Sequence, residues 1–139
     1  MSQLPSGLSS EVGRDEEISR VLRHSRFRRK SDNGIKLDAF MPAPDNDTSV
    51  MRVTGLGSEQ INELAVQMVP EKAKNGSALF EANVALDQGL EFFADDTPPR
   101  HANLRGWPKY ESDSERERLE RRAIAAILAE ESTWLAPTI

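Results

Sequence analysis

Apolar residues fall along this chain in short groups, and their spacing switches between a period near 3.6 and a period of two. Ile18, Val21 and Leu22 stand at i, i+3 and i+4, which predicts a short helix beginning near Asp15. It runs into a basic stretch, and Asn33-Gly34 marks a turn. Ile35, Leu37, Ala39 and Met41 alternate as a strand would, until Pro42, Pro44 and Asp45-Asn46-Asp47 interrupt them. Ser49 to Thr54, rich in β-branched residues, reads as a second strand. Gly55-Leu56-Gly57 then hinges into a helix, with Ser58 as N-cap and Ile61, Leu64, Ala65 and Met68 as its stripe. Pro70 and Gly76 delimit its end.

Ala78, Phe80, Ala82, Val84 and Leu86 alternate without a miss and predict one continuous strand. Asp87-Gln88-Gly89 turns into a further short strand, Leu90 to Phe93, and a polar, proline-bearing loop covers Ala94 to Lys109. Ser112 or Ser114 opens a long charged helix reaching to about Trp134, with Leu119, Ala123, Ile127 and, on a neighbouring row, Ile124 and Leu128 as its buried side. The fold class that follows is α+β: one small domain over 14–139, a mostly antiparallel sheet with packed helices and a long C-terminal amphipathic helix. Residues 1–13 have too few apolar side chains to offset the entropy of ordering and read as a flexible N-terminal arm.

Composition narrows the chemistry. With no cysteine in 139 residues, thiolate catalysis, disulfides and Cys-based zinc sites are excluded. Two histidines, His24 and His101, make a His-rich metal site unexpected, and neither metal nor cofactor is expected. Asp45, Asp47 and Ser49 begin like a calcium loop, but Val50 stands at the central glycine and Leu56 at the closing glutamate. No apolar run approaches the roughly 20 residues of a membrane span, and no signal peptide is visible, so no membrane partner and a cytoplasmic location are expected. A net charge of −5 argues against a dedicated nucleic-acid coat while leaving room for a local basic patch.

Three places carry candidate chemistry. Thr97 to Pro108 concentrates an imidazole, an amide, two guanidiniums and an indole between prolines. There His101 is a candidate acid/base, and Arg100, Asn103, Arg105 and Trp107 are candidate binding residues. The bland reading has Trp107 plugging the core edge while His101 and Asn103 satisfy backbone groups. Arg52, inside an apparent strand, is a candidate anion clamp by its planar fork, or else an exposed strand residue. Finally, Arg20, Arg23, Arg26, Arg28, Arg29 and Lys30, interleaved with His24 and Phe27, form a candidate polyanion surface, although acids flank them. Gly55-x-Gly57 lacks the third glycine of a dinucleotide fingerprint, since position 60 is Gln60.

Ser49-Val50-Met51-Arg52 followed by His101-Ala102-Asn103-Leu104-Arg105-Gly106-Trp107-Pro108 resembles a pattern in small uncharacterised bacterial proteins, over roughly residues 18 to 130. The resemblance implies a bacterial, self-contained domain, suggests that Arg52 and His101 sit together, and implies no activity.

The preferred expectation is therefore a non-enzymatic binding or accessory module that engages a protein partner through the 97–108 loop, extended by the C-terminal helix, with Trp107 and Arg105 as anchors. The first alternative is a small enzyme acting on a phosphorylated or nucleotide-like substrate, with His101 as acid/base and Arg52 as anion clamp. Nucleic-acid binding through Arg20 to Lys30 is the second.

Overall fold

The structure, a computed structural model, describes residues 3–138; Met1 and Ser2 of the expected arm and Ile139 of the expected domain lie outside the described residues. Six strands form one antiparallel sheet: β1 (Glu17–Val21), β2 (Thr48–Arg52), β3 (Ser77–Glu81), β4 (Glu91–Phe93), β5 (His101–Arg105) and β6 (Thr133–Leu135). Their order across the sheet is β4-β5-β2-β1-β3-β6. Three α-helices accompany them: α1 (Ser58–Met68), α2 (Ala82–Leu86) and α3 (Ser114–Glu130). The expected α+β class, with a largely antiparallel sheet and a long C-terminal helix, is what the chain adopts.

One face of the sheet carries Ile18, Val50, Ala78, Phe80, Ala102 and Leu104, and Ala125, Leu128 and Ala129 of α3 close over it. Phe40 and Trp107 fill the margins of this main core. The other face is covered only in part. Ile61 of α1 packs with Met51 and Val53, joined by Leu64, Met68, Leu79 and Leu135. Ser49, Asn103 and Arg105, on the same face by strand alternation, stay half-exposed beyond that cover.

Several elements differ from expectation. The expected helix from Asp15 is β1. Its residues from Ile18 to Val21 are all buried, so the alternation that marks a half-exposed strand is absent and a chance i, i+3, i+4 spacing takes its place. Ile35–Met41 is not a strand. Ile35 bridges Arg28 and the chain then turns through a 3-10 helix at Leu37–Ala39, because Ala39 and its neighbour Phe40 are both buried. The continuous strand expected over 78–86 stops at Glu81. There the chain coils into α2, burying Ala82 and Ala85 one helical turn apart.

Within the expected 94–109 loop lies β5, a central strand. The C-terminal helix ends at Glu130, and Trp134 lies on the edge strand β6 opposite Ala78, its indole N–H donating to Asn75 O at 3.2 Å. Its buried side is Ala125, Leu128 and Ala129, while Leu119 and Ile127 are 54% and 37% exposed. The caps shift by one residue as well. Gly57 caps α1, its backbone N–H donating to Gln60 Oε1 at 3.0 Å, and the Asp113 side chain caps α3 by accepting from Arg116 N at 3.0 Å.

Residues 3–13, expected as a loose arm, lie against the domain. Ser6 N donates to Asp96 Oδ2 at 2.7 Å, and the carbonyls of Ser9 and Glu11 accept from Arg52 at 2.6 and 3.3 Å. Val12 packs against the main core.

Candidate functional site

Strand register assembles the site. Ser49 lies opposite Asn103 and Met51 opposite His101, so Ser49 and His101 are diagonal neighbours on one face of the β2–β5 pair. Ser49 Oγ sits 2.6 Å from His101 Nε2, and His101 Nδ1 sits 2.6 Å from Asp95 Oδ1. A carboxylate only accepts, so Nδ1 carries a proton, and in the neutral ring Nε2 accepts the Ser49 hydroxyl hydrogen. This is the order serine–histidine–aspartate, each contact within hydrogen-bond reach.

Asp95 comes from the turn between β4 and β5. Thr97 N donates to its Oδ1 at 3.3 Å and Asn103 Nδ2 to its Oδ2 at 3.4 Å, which leaves the carboxylate facing the imidazole. The next residue, Asp96, has φ 57° and Arg100 has φ 75°, a left-handed conformation uncommon outside glycine. The buried Asp96 carboxylate holds this turn by accepting Arg100 N at 2.8 Å as well as Ser6 N. Desolvation raises the Asp96 pKa, but these amide hydrogen bonds and the Arg52 charge outweigh it, and the result is a lowered value. The imidazole is therefore fixed from both sides and is only 8% exposed.

The other candidates fall into separate places. Arg52 is 2% exposed, on the opposite face from His101 although one step away in the ladder. Its Nε and Nη2 each donate to Glu16 at 2.8 Å, and its remaining contacts go to Ser9 O and Glu11 O. Its fork is thus spent on an internal carboxylate. Burial raises the Glu16 pKa, yet the Arg52 and Gly13 hydrogen bonds prevail and hold it below the ordinary glutamate value. Trp107 is buried and donates to Leu104 O at 3.2 Å, which matches the bland reading of a core plug. Arg105 stacks on Phe93 at 4.3 Å and reaches Asp47 at 3.1 Å. Arg100 Nη1 donates to Arg52 O at 3.2 Å.

The side chains of the basic run have separate partners. Arg28 stacks on Trp134 at 4.2 Å, Arg29 pairs with Asp32 at 3.2 Å and Arg26 lies 5.9 Å over Phe27. Lys30 is exposed on the surface and Arg23 turns toward the cleft beside Ser49. Among the described residues no group of three histidine, aspartate or glutamate side chains is placed to hold a metal ion, and no helix is long and apolar enough to cross a membrane.

Comparison with known proteins gives no match: no family model fits the chain, and no curated protein or solved structure resembles it at a significant level.

Sequence reasoning singled out His101 but passed over both of its partners. In the sequence Asp95 is one acid among many, and Ser49 stands out only as a strand residue, as part of a failed calcium-loop pattern and as the start of the Ser49-Val50-Met51-Arg52 stretch. The available signal was the alternation His101, Asn103, Arg105 against the apolar Ala102 and Leu104. Read as a strand, it puts the imidazole on a polar face that needs polar neighbours.

Proposed function

We propose that this protein is a small serine-dependent hydrolase or acyltransferase, with Ser49 as nucleophile, His101 as general base and Asp95 as the group that orients and charge-balances the imidazole. The observation that carries the reading is the pair of 2.6 Å contacts linking Ser49 Oγ, His101 and Asp95 Oδ1. It takes the enzymatic side of the earlier alternatives, with Ser49 and Asp95 in place of Arg52. Of the two anchors of the partner-binding reading, Trp107 is buried, and Arg105 is stacked on Phe93 and held by Asp47.

The chemistry follows from the proton positions. As Ser49 Oγ bonds to an acyl carbonyl carbon, its proton passes to His101 Nε2, and Asp95 balances the imidazolium through the proton on Nδ1. The same Nε2 proton then goes to the leaving group as its bond to the acyl carbon breaks. A water, deprotonated by the freed Nε2, releases the acyl group and restores the serine. The cleft that Ser49 and Asn103 line measures about 270 Å³, which suits a short acyl portion better than a bulky ligand.

The competing account is that Ser49 and Asp95 merely satisfy the two nitrogens of a buried imidazole. Hydrolysis of p-nitrophenyl acetate by the full chain separates the two. Ser49→Ala is expected to fold with little change in melting temperature and to lose about 100-fold or more of the turnover. Equal turnover in the parent and in Ser49→Ala would remove the nucleophile assignment.

A further inference from the structure

The β1–β2 ladder stops at Ser19–Met51. Past that point the Arg20 side chain supplies the link between the strands. Its Nε donates to Ala39 O at 2.9 Å and its Nη1 to Ser49 O at 2.8 Å. Both acceptors are neutral carbonyls, and the guanidinium is only 9% exposed. Burial first, and then the like charge of Arg23, pull its pKa down to about 9, so at neutral pH it still carries its charge. A buried cation without a carboxylate partner is a costly arrangement.

Arg23 stands beside it, and its Nε is buried with no hydrogen-bond partner among the described residues. Both arginines are among the residues that line the 270 Å³ cleft, together with Ser49 and Asn103. Two acids border the same cleft, but each is directed elsewhere. Asp47 accepts Arg105 Nε at 3.1 Å, and Asp45 Oδ1 accepts Asp47 N at 3.1 Å. Neither forms an ion pair with Arg20 or Arg23 among the described residues.

We propose that this cleft is an oxyanion-binding site, with the Arg23 guanidinium hydrogen-bonding the anion and Arg20 supplying the buried positive charge. The matching ligand chemistry is a carboxylate or phosphate group, which planar guanidiniums bind well. Because Ser49 borders both this cleft and the His101 pair, the anionic group belongs to the molecule that Ser49 attacks. That last assignment rests on the hydrolase reading, whereas the anion site itself does not.

Inorganic phosphate and acetate, titrated into the full chain at constant ionic strength and followed by calorimetry, test it. Saturable binding of at least one is expected, and the tighter of the two tells whether a phosphate or a carboxylate is preferred. Arg23 makes no hydrogen bond through its Nε that the fold needs, so Arg23→Gln should melt at the parent temperature while weakening the anion by about tenfold or more. If phosphate binds but Ser49→Ala leaves turnover intact, the hydrolase reading falls and the anion site stands. No saturable binding of either anion, or equal binding by folded Arg23→Gln, overturns the site.

Discussion

Ser49 and His101 are 52 residues apart in the chain, and their side chains meet at 2.6 Å across the β2–β5 pair. Register alone makes this contact. A slip by one residue would send the imidazole to the opposite face, into the core beneath α3. The fully buried Val50 and Ala102, paired directly across the ladder on that core face, hold the register where the contact exists. Packing on one side of the sheet thus positions chemistry on the other.

The Arg52–Glu16 pair is expected to be structural. Arg52→Met leaves Glu16 without its two charged hydrogen bonds and removes the Arg52 contacts to the Ser9 and Glu11 carbonyls. The loss should be on the order of 3–5 kcal/mol by urea denaturation. Arg52→Lys keeps the charge but not the fork and should fall between. An Arg52→Lys protein as stable as the parent would contradict this role.

Acid should loosen the same region. Glu16 and Asp96 both have pKa values below their ordinary 4.5 and 3.8, so folding favours their ionised forms. Their contribution is complete above those ordinary values and is lost as pH falls through the lowered folded ones. Melting temperature should therefore drop as pH falls below about 4.5, and Glu16→Gln should flatten that drop. A parallel pH profile in the parent and in Glu16→Gln would count against the linkage.

Deleting residues 1–11 removes the acceptors at Ser9 and Glu11 and the Ser6 amide bound to Asp96. A cost of roughly 1–3 kcal/mol is expected, since buried donors of Arg52 and a buried carboxylate lose partners. Unchanged thermal stability of the truncated chain would show that the segment is dispensable after all.

Gly76→Ala should be among the most harmful single substitutions. Its φ is +81°, and an added Cβ would stand 2.5 Å from Leu135 O and 2.5 Å from the Trp134 indole nitrogen. With ψ at −169° the backbone lies in a region that essentially only glycine adopts, and a strain of about 1–3 kcal/mol adds to the displacement of β6. A variant within about 0.5 kcal/mol of the parent would show that the edge strand shifts freely.

Legibility followed burial. The helices α1 and α3 and the strands β2 and β4 are announced by periodicity or β-branched content, and β3 is the first half of the alternating run 78–86. Failures cluster where one side of an element is not water. β1 hides because both its faces are covered, and Leu119 and Ile127 mislead because the buried side of α3 is built from alanines and Leu128. In β5 the polar residues that suggested a loop are the outward half of a normal alternation, with Ala102 and Leu104 inward. As for the site, His101 was visible by residue type alone. Its meeting with Ser49 and Asp95 depends on strand pairing and on a turn, neither of which any local spacing encodes.

The most direct test of the central claim is covalent capture of Ser49. A fluorophosphonate probe reacts when a serine oxygen attacks phosphorus, fluoride leaves, and an adjacent base takes the serine proton. Intact-mass and peptide analysis of the full chain should find one adduct, located on Ser49. His101→Ala should slow labelling by about 100-fold or more, and Asp95→Asn should slow it too while both variants remain folded. Absence of any Ser49 adduct, or labelling of Ser49 at the same rate in folded His101→Ala, would contradict the account.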